Sequence, residues 1–186
     1  FVGVAFRINS LCGWLSPVAL GIVFWYSLAK RVTAYTQLFL GLSMAVAPVG
    51  GWLAAGGRAG WEPWLLALAI GLWVGGFDIL YACQDLTFDR SQGLHSMPTR
   101  FGVARAIQIS RGMHAATVLV MAGLGPVAGL PTWYFGGVVV VAALLVYEQS
   151  MVSAEDLSQV KRAFDLNGWV GIAYFVCTAA SLWLAA

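Results

Sequence analysis

FDILYACQDLTFDRSQGLHSMPTRFG, residues 77–102, follows a strongly apolar run and carries three carboxylates, Asp78, Asp85 and Asp89. The second and third lie seven and eleven residues beyond the first. At about 100° per residue, a helix brings both to within roughly 20° of the Asp78 direction. All three acids then share one stripe. Like charges on a stripe repel, by a few tenths of a kcal/mol per pair on an exposed helix and by more beside a bilayer. A cation relieves that repulsion, and a hard divalent ion such as Mg²⁺ prefers oxygen ligands. The alternative is a solvated helix end with scattered acids.

The surrounding composition separates the two. The chain has 186 residues, of which 60% are hydrophobic and 10% charged, with a mean hydropathy of +0.81. Soluble domains carry about 25% charged residues. Acids at a span end in so apolar a chain are an expense that a function has to justify. Cys12, Cys83 and Cys177 are odd in number and far apart, each in or beside an apolar run, so no disulfide or zinc framework is expected. A formal net charge of +2 leaves no footprint for nucleic acid. The fold class expected is an all-α, polytopic transmembrane bundle in contact with the lipid bilayer.

At about 20 apolar residues per span, Phe1–Phe6 reads as the tail of one helix. Six spans follow, at Leu11–Leu28, Tyr35–Ala55, Trp64–Cys83, Met113–Gly129, Trp133–Tyr147 and Trp169–Ala185. Pro17 and Pro48 fall inside spans, which membrane helices tolerate. Gly71, Gly75 and Gly76 suggest close helix packing, or a hinge. Trp61, Trp64, Trp133 and Trp169 sit at span ends, as an aromatic belt would. The loops on one side hold Lys30, Arg31, Arg90, Arg100, Arg105, Arg111, Lys161 and Arg162, whereas the other side holds Arg7 and Arg58. The positive-inside rule places the first side in the cytoplasm. Every acid except Glu62 lies on or next to that side, so polar chemistry is concentrated at one face.

A second stretch, YSLAKRVTAYTQLFLG over Tyr26–Gly41, sets Lys30 and Arg31 directly after a span. The pair is a topology determinant, or an anion site in which Arg offers a planar fork and Lys a point charge to phosphate oxygens. An acidic stripe facing a basic loop suits a diphosphate–metal complex, because Mg²⁺ bridges carboxylate and phosphate oxygens and stabilises a charged leaving group.

Residues 77–102 resemble the second aspartate-rich motif of the UbiA superfamily of intramembrane prenyltransferases, through Asp78, Tyr81, Ala82, Asp85, Asp89, Gly93, Ser96, Pro98 and the closing Phe101–Gly102. Tyr26, Lys30, Arg31, Thr33, Gln37, Gly41 and Pro48 resemble the family's basic loop and the helix after it. Asp156, Leu157, Phe164, Asn167 and Gly168 resemble its late loop. The wording of the acidic stretch is most similar to the bacterial 4-hydroxybenzoate polyprenyltransferase-like branch, which includes members of the menaquinone pathway.

The resemblance implies a nine-helix fold with its active site towards the cytoplasm of a bacterial inner membrane. Residues 1–186 are then a single transmembrane prenyltransferase domain that lacks the N-terminal helices and the first Asp-rich motif, and this segment alone is expected to be inactive. The implied activity is Mg²⁺-dependent transfer of a polyprenyl group from polyprenyl diphosphate to a hydroxyaromatic acid, 4-hydroxybenzoate or a dihydroxynaphthoate, in quinone biosynthesis. Asp85 and Asp89, helped by Asp78, are the expected metal ligands, and Lys30, Arg31 and Arg100 the diphosphate contacts. Tyr81 orients the diphosphate or anchors the interface, and Arg100 is alternatively a structural salt-bridge residue. His95 is a proton-transfer candidate or a loop hydrogen-bonder. His114 reads as an interface residue and Asn167 as a helix cap. The competing functions are prenyl transfer to a haem or chlorophyll side chain, and ion-coupled transport.

Overall fold

The structure is a computed structural model that describes residues 1–185. Among them the chain forms nine helices: α1 Val2–Ile8, α2 Ser10–Ala29, α3 Thr36–Ala54, α4 Glu62–Gln84, α5 Leu86–Ser91, α6 Met97–Phe101, α7 Val103–Val127, α8 Trp133–Ser150 and α9 Val160–Ala185. Five of these, α2, α3, α4, α8 and α9, are long and apolar enough to cross a membrane. Pro17 and Pro48 lie inside continuous helices. The expected spans in α2, α3, α4 and α8 agree with the helices to within three residues at each end.

Two starts differ from expectation. The helix behind the expected Met113–Gly129 span begins at Val103, and the last helix begins at Val160 rather than Trp169. Hydropathy marks where a helix turns apolar, whereas the backbone coils earlier. The first turns of α7 and α9 carry Arg105, Arg111, Lys161, Arg162 and Asp165, all exposed.

Helix α4 is the organising element. It packs against α3 on one side and α7 on the other, and it also touches α9, so that α4, α7, α8 and α9 close on themselves. Beneath the charged face Ile79, Leu80, Met97, Ile107 and Val160 share one core. Deeper in the bundle Met121, Tyr134, Val141 and Val170 form a second. Helices α2 and α3 lie outside this ring, and few of their residues are buried. An apolar groove of about 1000 Å³ runs along the inner faces of α1–α4, lined by residues such as Leu15, Leu42, Leu68 and Leu72.

The glycines act in packing. A Cβ at Gly41 would meet the Gly71 carbonyl oxygen, and one at Gly76 would meet the His114 ring. Backbone cannot move aside as a flexible side chain can, so Gly41→Ala is expected to push α3 away from α4 at a cost of about 1–3 kcal/mol. A lowered unfolding temperature in detergent is the check; an unchanged one would mean that the two helices slide past each other freely.

Candidate functional site

Helix α4 ends at Gln84, but the chain does not leave its helical course. Asp85 keeps αR dihedrals, its N–H donates to Ala82 O at 3.2 Å, and its carbonyl accepts from Asp89 N–H at 2.7 Å. One tightened turn thus carries the acidic stripe from α4 into α5. Helix α5 then stops on Gly93, whose φ of +64° needs no side chain. Leu94 N–H donates to Asp89 O at 2.8 Å and Gly93 N–H to Arg90 O at 3.3 Å, the pairing of a Schellman motif. The reversal brings His95 N–H within 2.8 Å of Lys30 O. Ser96 and Thr99 form a reciprocal capping box that starts α6. Met97 N–H donates to Gln37 Oε1 at 3.2 Å. Two sequence-distant loops are thereby laced together over the end of α4.

The charges meet there. Lys30 Nζ lies 2.7 Å from Asp89 Oδ1 and 3.7 Å from Asp85 Oδ2. Asp89 is 0% exposed, and among the described residues its oxygens have no partner besides Lys30. A cavity of about 160 Å³ opens beside this pair, lined by Tyr26, Lys30, Thr36, Gln37, Asp78, Tyr81, Ala82 and Asp85. The expected stripe is therefore realised in pairs: Asp85 and Asp89 face one ammonium, and Asp78 and Asp85 share one cavity. Among the described residues no three His, Cys, Asp or Glu side chains gather closely enough to cage a metal. The donor chemistry nevertheless fits a hard divalent cation. Two carboxylates already converge on one positive charge, and among the described residues Asp89 has no other partner than Lys30.

Tyr81 sits at the cavity edge with its ring 4.8 Å from Phe164, which in turn meets Phe77 at 5.4 Å. Trp73 continues this aromatic wall and donates its indole N–H to Asn167 Oδ1 at 2.7 Å. Arg31 is exposed on the turn after α2. Arg100 makes no salt bridge among the described residues; its guanidinium rests 5.2 Å from the ring centres of both Tyr35 and Phe101, a cation–π arrangement. The His95 side chain is exposed, and its backbone makes the contact. Asp156 is exposed in the loop before α9, where hydrogen bonding from Ser158 holds its carboxyl below the usual carboxylate range.

Two expectations need correction. Asn167 does not cap the last helix: it is buried within α9, and its amide donates to Ala163 O and Phe164 O. His114 is not at an interface but buried, with one ring nitrogen 3.2 Å from Trp73 O and the other 3.0 Å from Gln149 Nε2. Gln149 also donates to Ser110 Oγ at 2.8 Å. The adjacent Glu148 is 0% exposed with neither carboxylate oxygen partnered. Nothing in the sequence separated this internal polar cluster from ordinary loop residues, because Glu148–Gln149 follows an apolar span just as an interface pair would. Gln37 and Thr36 in the cavity wall did leave a signal: a polar pair opening an apolar span.

An α-helical membrane bundle with paired acids, one lysine and a small polar cavity at one end of an apolar groove defines the class. The chain belongs to the UbiA prenyltransferase family, whose sequence profile matches residues 1–178. A 4-hydroxybenzoate octaprenyltransferase of Marinobacter nauticus is 34% identical over 183 residues, covering 98% of this chain and 62% of the relative. One from Aromatoleum aromaticum is 30% identical and covers 91% and 57%. The chain thus spans about 60% of the length of these curated relatives. The solved structure of a UbiA homolog from Aeropyrum pernix K1 superimposes with a TM-score of 0.86 at 31% identity, covering 97% of this chain and 68% of that one. A digeranylgeranylglyceryl phosphate synthase structure, at 18% identity and a TM-score of 0.74, shares the fold.

Proposed function

We propose that the protein transfers a polyprenyl group from polyprenyl diphosphate to 4-hydroxybenzoate at the cytoplasmic face of a bacterial inner membrane, in ubiquinone-type synthesis. The observation that carries this reading is the Lys30–Asp85–Asp89 cluster beside a polar cavity, with an apolar groove lined by the same helices α2, α3 and α4. A molecule with a charged head and a long apolar tail fits that division. The names of the bacterial relatives favour a hydroxybenzoate acceptor over a naphthoate.

Asp85 and Asp89, with Asp78, are the residues that would hold Mg²⁺, which when bound neutralises diphosphate charge and eases its departure. Lys30 supplies a positive charge that can turn from Asp89 to a phosphate oxygen. Tyr26 and Tyr81 line the same cavity. As the carbon–oxygen bond to diphosphate breaks, an allylic cation forms. Tyr81, in the cavity wall, offers an aromatic face to its charge. The electron-rich acceptor ring then forms the new carbon–carbon bond and loses a proton.

Membranes carrying the whole protein, given a polyprenyl diphosphate, Mg²⁺ and 4-hydroxybenzoate, are expected to yield prenylated hydroxybenzoate by mass spectrometry. Product only with a dihydroxynaphthoate would move the enzyme to menaquinone synthesis. Absence of any diphosphate release would overturn the reading of the site.

A further inference from the structure

Gln37 stands in the first turn of α3 and is 1% exposed, yet it lines the polar cavity. Its side-chain orientation is not arbitrary. Met97 N–H is a donor, so the end of the amide that faces it, 3.2 Å away, must be the oxygen. The amide is planar, and its NH₂ is therefore turned away from Met97. No acceptor among the described residues takes that NH₂. Gln37 lines the cavity, so a partner for that NH₂ can come from outside the chain. The groups sharing the cavity are Lys30, Tyr26, Asp78, Tyr81 and Asp85.

We propose that Gln37 is a diphosphate-binding residue: its Oε1, fixed by Met97 N–H, aims the amide NH₂ into the cavity, where it donates to a phosphate oxygen beside Lys30. This rests on the diphosphate reading of the site. The neutral donor complements the lysine, since it marks a direction that a mobile ammonium on a flexible stem does not. It also ties ligand binding to the loop before α6, because the same amide joins α3 to Met97.

Two variants separate donor from tie. Gln37→Glu keeps an oxygen for Met97 N–H and removes the NH₂ donor; Gln37→Met removes both. In the whole protein, both are expected to raise the KM for polyprenyl diphosphate tenfold or more, with the acceptor KM within twofold of wild type. Only Gln37→Met is expected to lower the thermal unfolding temperature clearly. Isothermal titration with inorganic diphosphate and Mg²⁺ is expected to show the same weakening. A diphosphate KM within twofold of wild type in either variant overturns the proposal, whatever its stability. If wild type itself neither binds inorganic diphosphate nor releases it from the prenyl substrate, the reading of the site fails instead.

Discussion

Asp89→Asn is expected to reduce prenyl transfer on the order of a thousandfold, the loss typical when one member of a preorganised charge-stabilising set is removed. The substitution is nearly isosteric and leaves packing in place. It also removes a carboxylate that is fully buried and, among the described residues, partnered by Lys30 alone. Burying such a group is unfavourable, and exchanging it for a neutral amide relaxes that penalty. The unfolding temperature in detergent is therefore expected to stay within a few degrees of wild type. Activity near wild type in the variant would remove Asp89 from the reaction; a collapse of stability would make it a structural residue.

Lys30→Met has the opposite signature. It leaves Asp89 buried with no counter-charge and Asp85 beside it. Breaking a buried pair from one side is unfavourable by about 3–5 kcal/mol, and the lower end applies because Lys30 and Asp85 are partly solvated. Stability should fall by about 3 kcal/mol, along with activity. Adding Asp89→Leu to Lys30→Met is expected to restore the unfolding temperature without restoring turnover, since it removes the orphaned charge and not the need for it. Mg²⁺ is expected to raise the unfolding temperature of Lys30→Met more than that of the double variant, by mass action on the folded state. Equal shifts would mean that Asp89 holds no cation.

Spans and the acidic stripe were legible because each depends on a local period or a local composition. Twenty apolar residues announce a span wherever they pack, and the offsets from Asp78 to Asp85 and Asp89 are a property of any helix. The starts of α7 and α9 were not legible, since coil and charged helix look alike to hydropathy. The same holds for His114, Glu148, Gln149 and Asn167. Each is a polar residue near a span end, and only the packing of α4, α7, α8 and α9 makes them interior.

The sequence by itself determined the membrane bundle, the crowded charged face and which acids share a stripe. The tertiary structure decided who answers them. Lys30 meets Asp89 across 59 residues of chain because α5 ends on Gly93 and turns its loop onto Lys30 O. Arg100 leaves the carboxylates for two aromatic rings, and Gln37 joins the cavity wall. Helical periodicity acts over a few turns, whereas these partnerships follow from helices brought together by their glycine faces, and no local pattern encodes them.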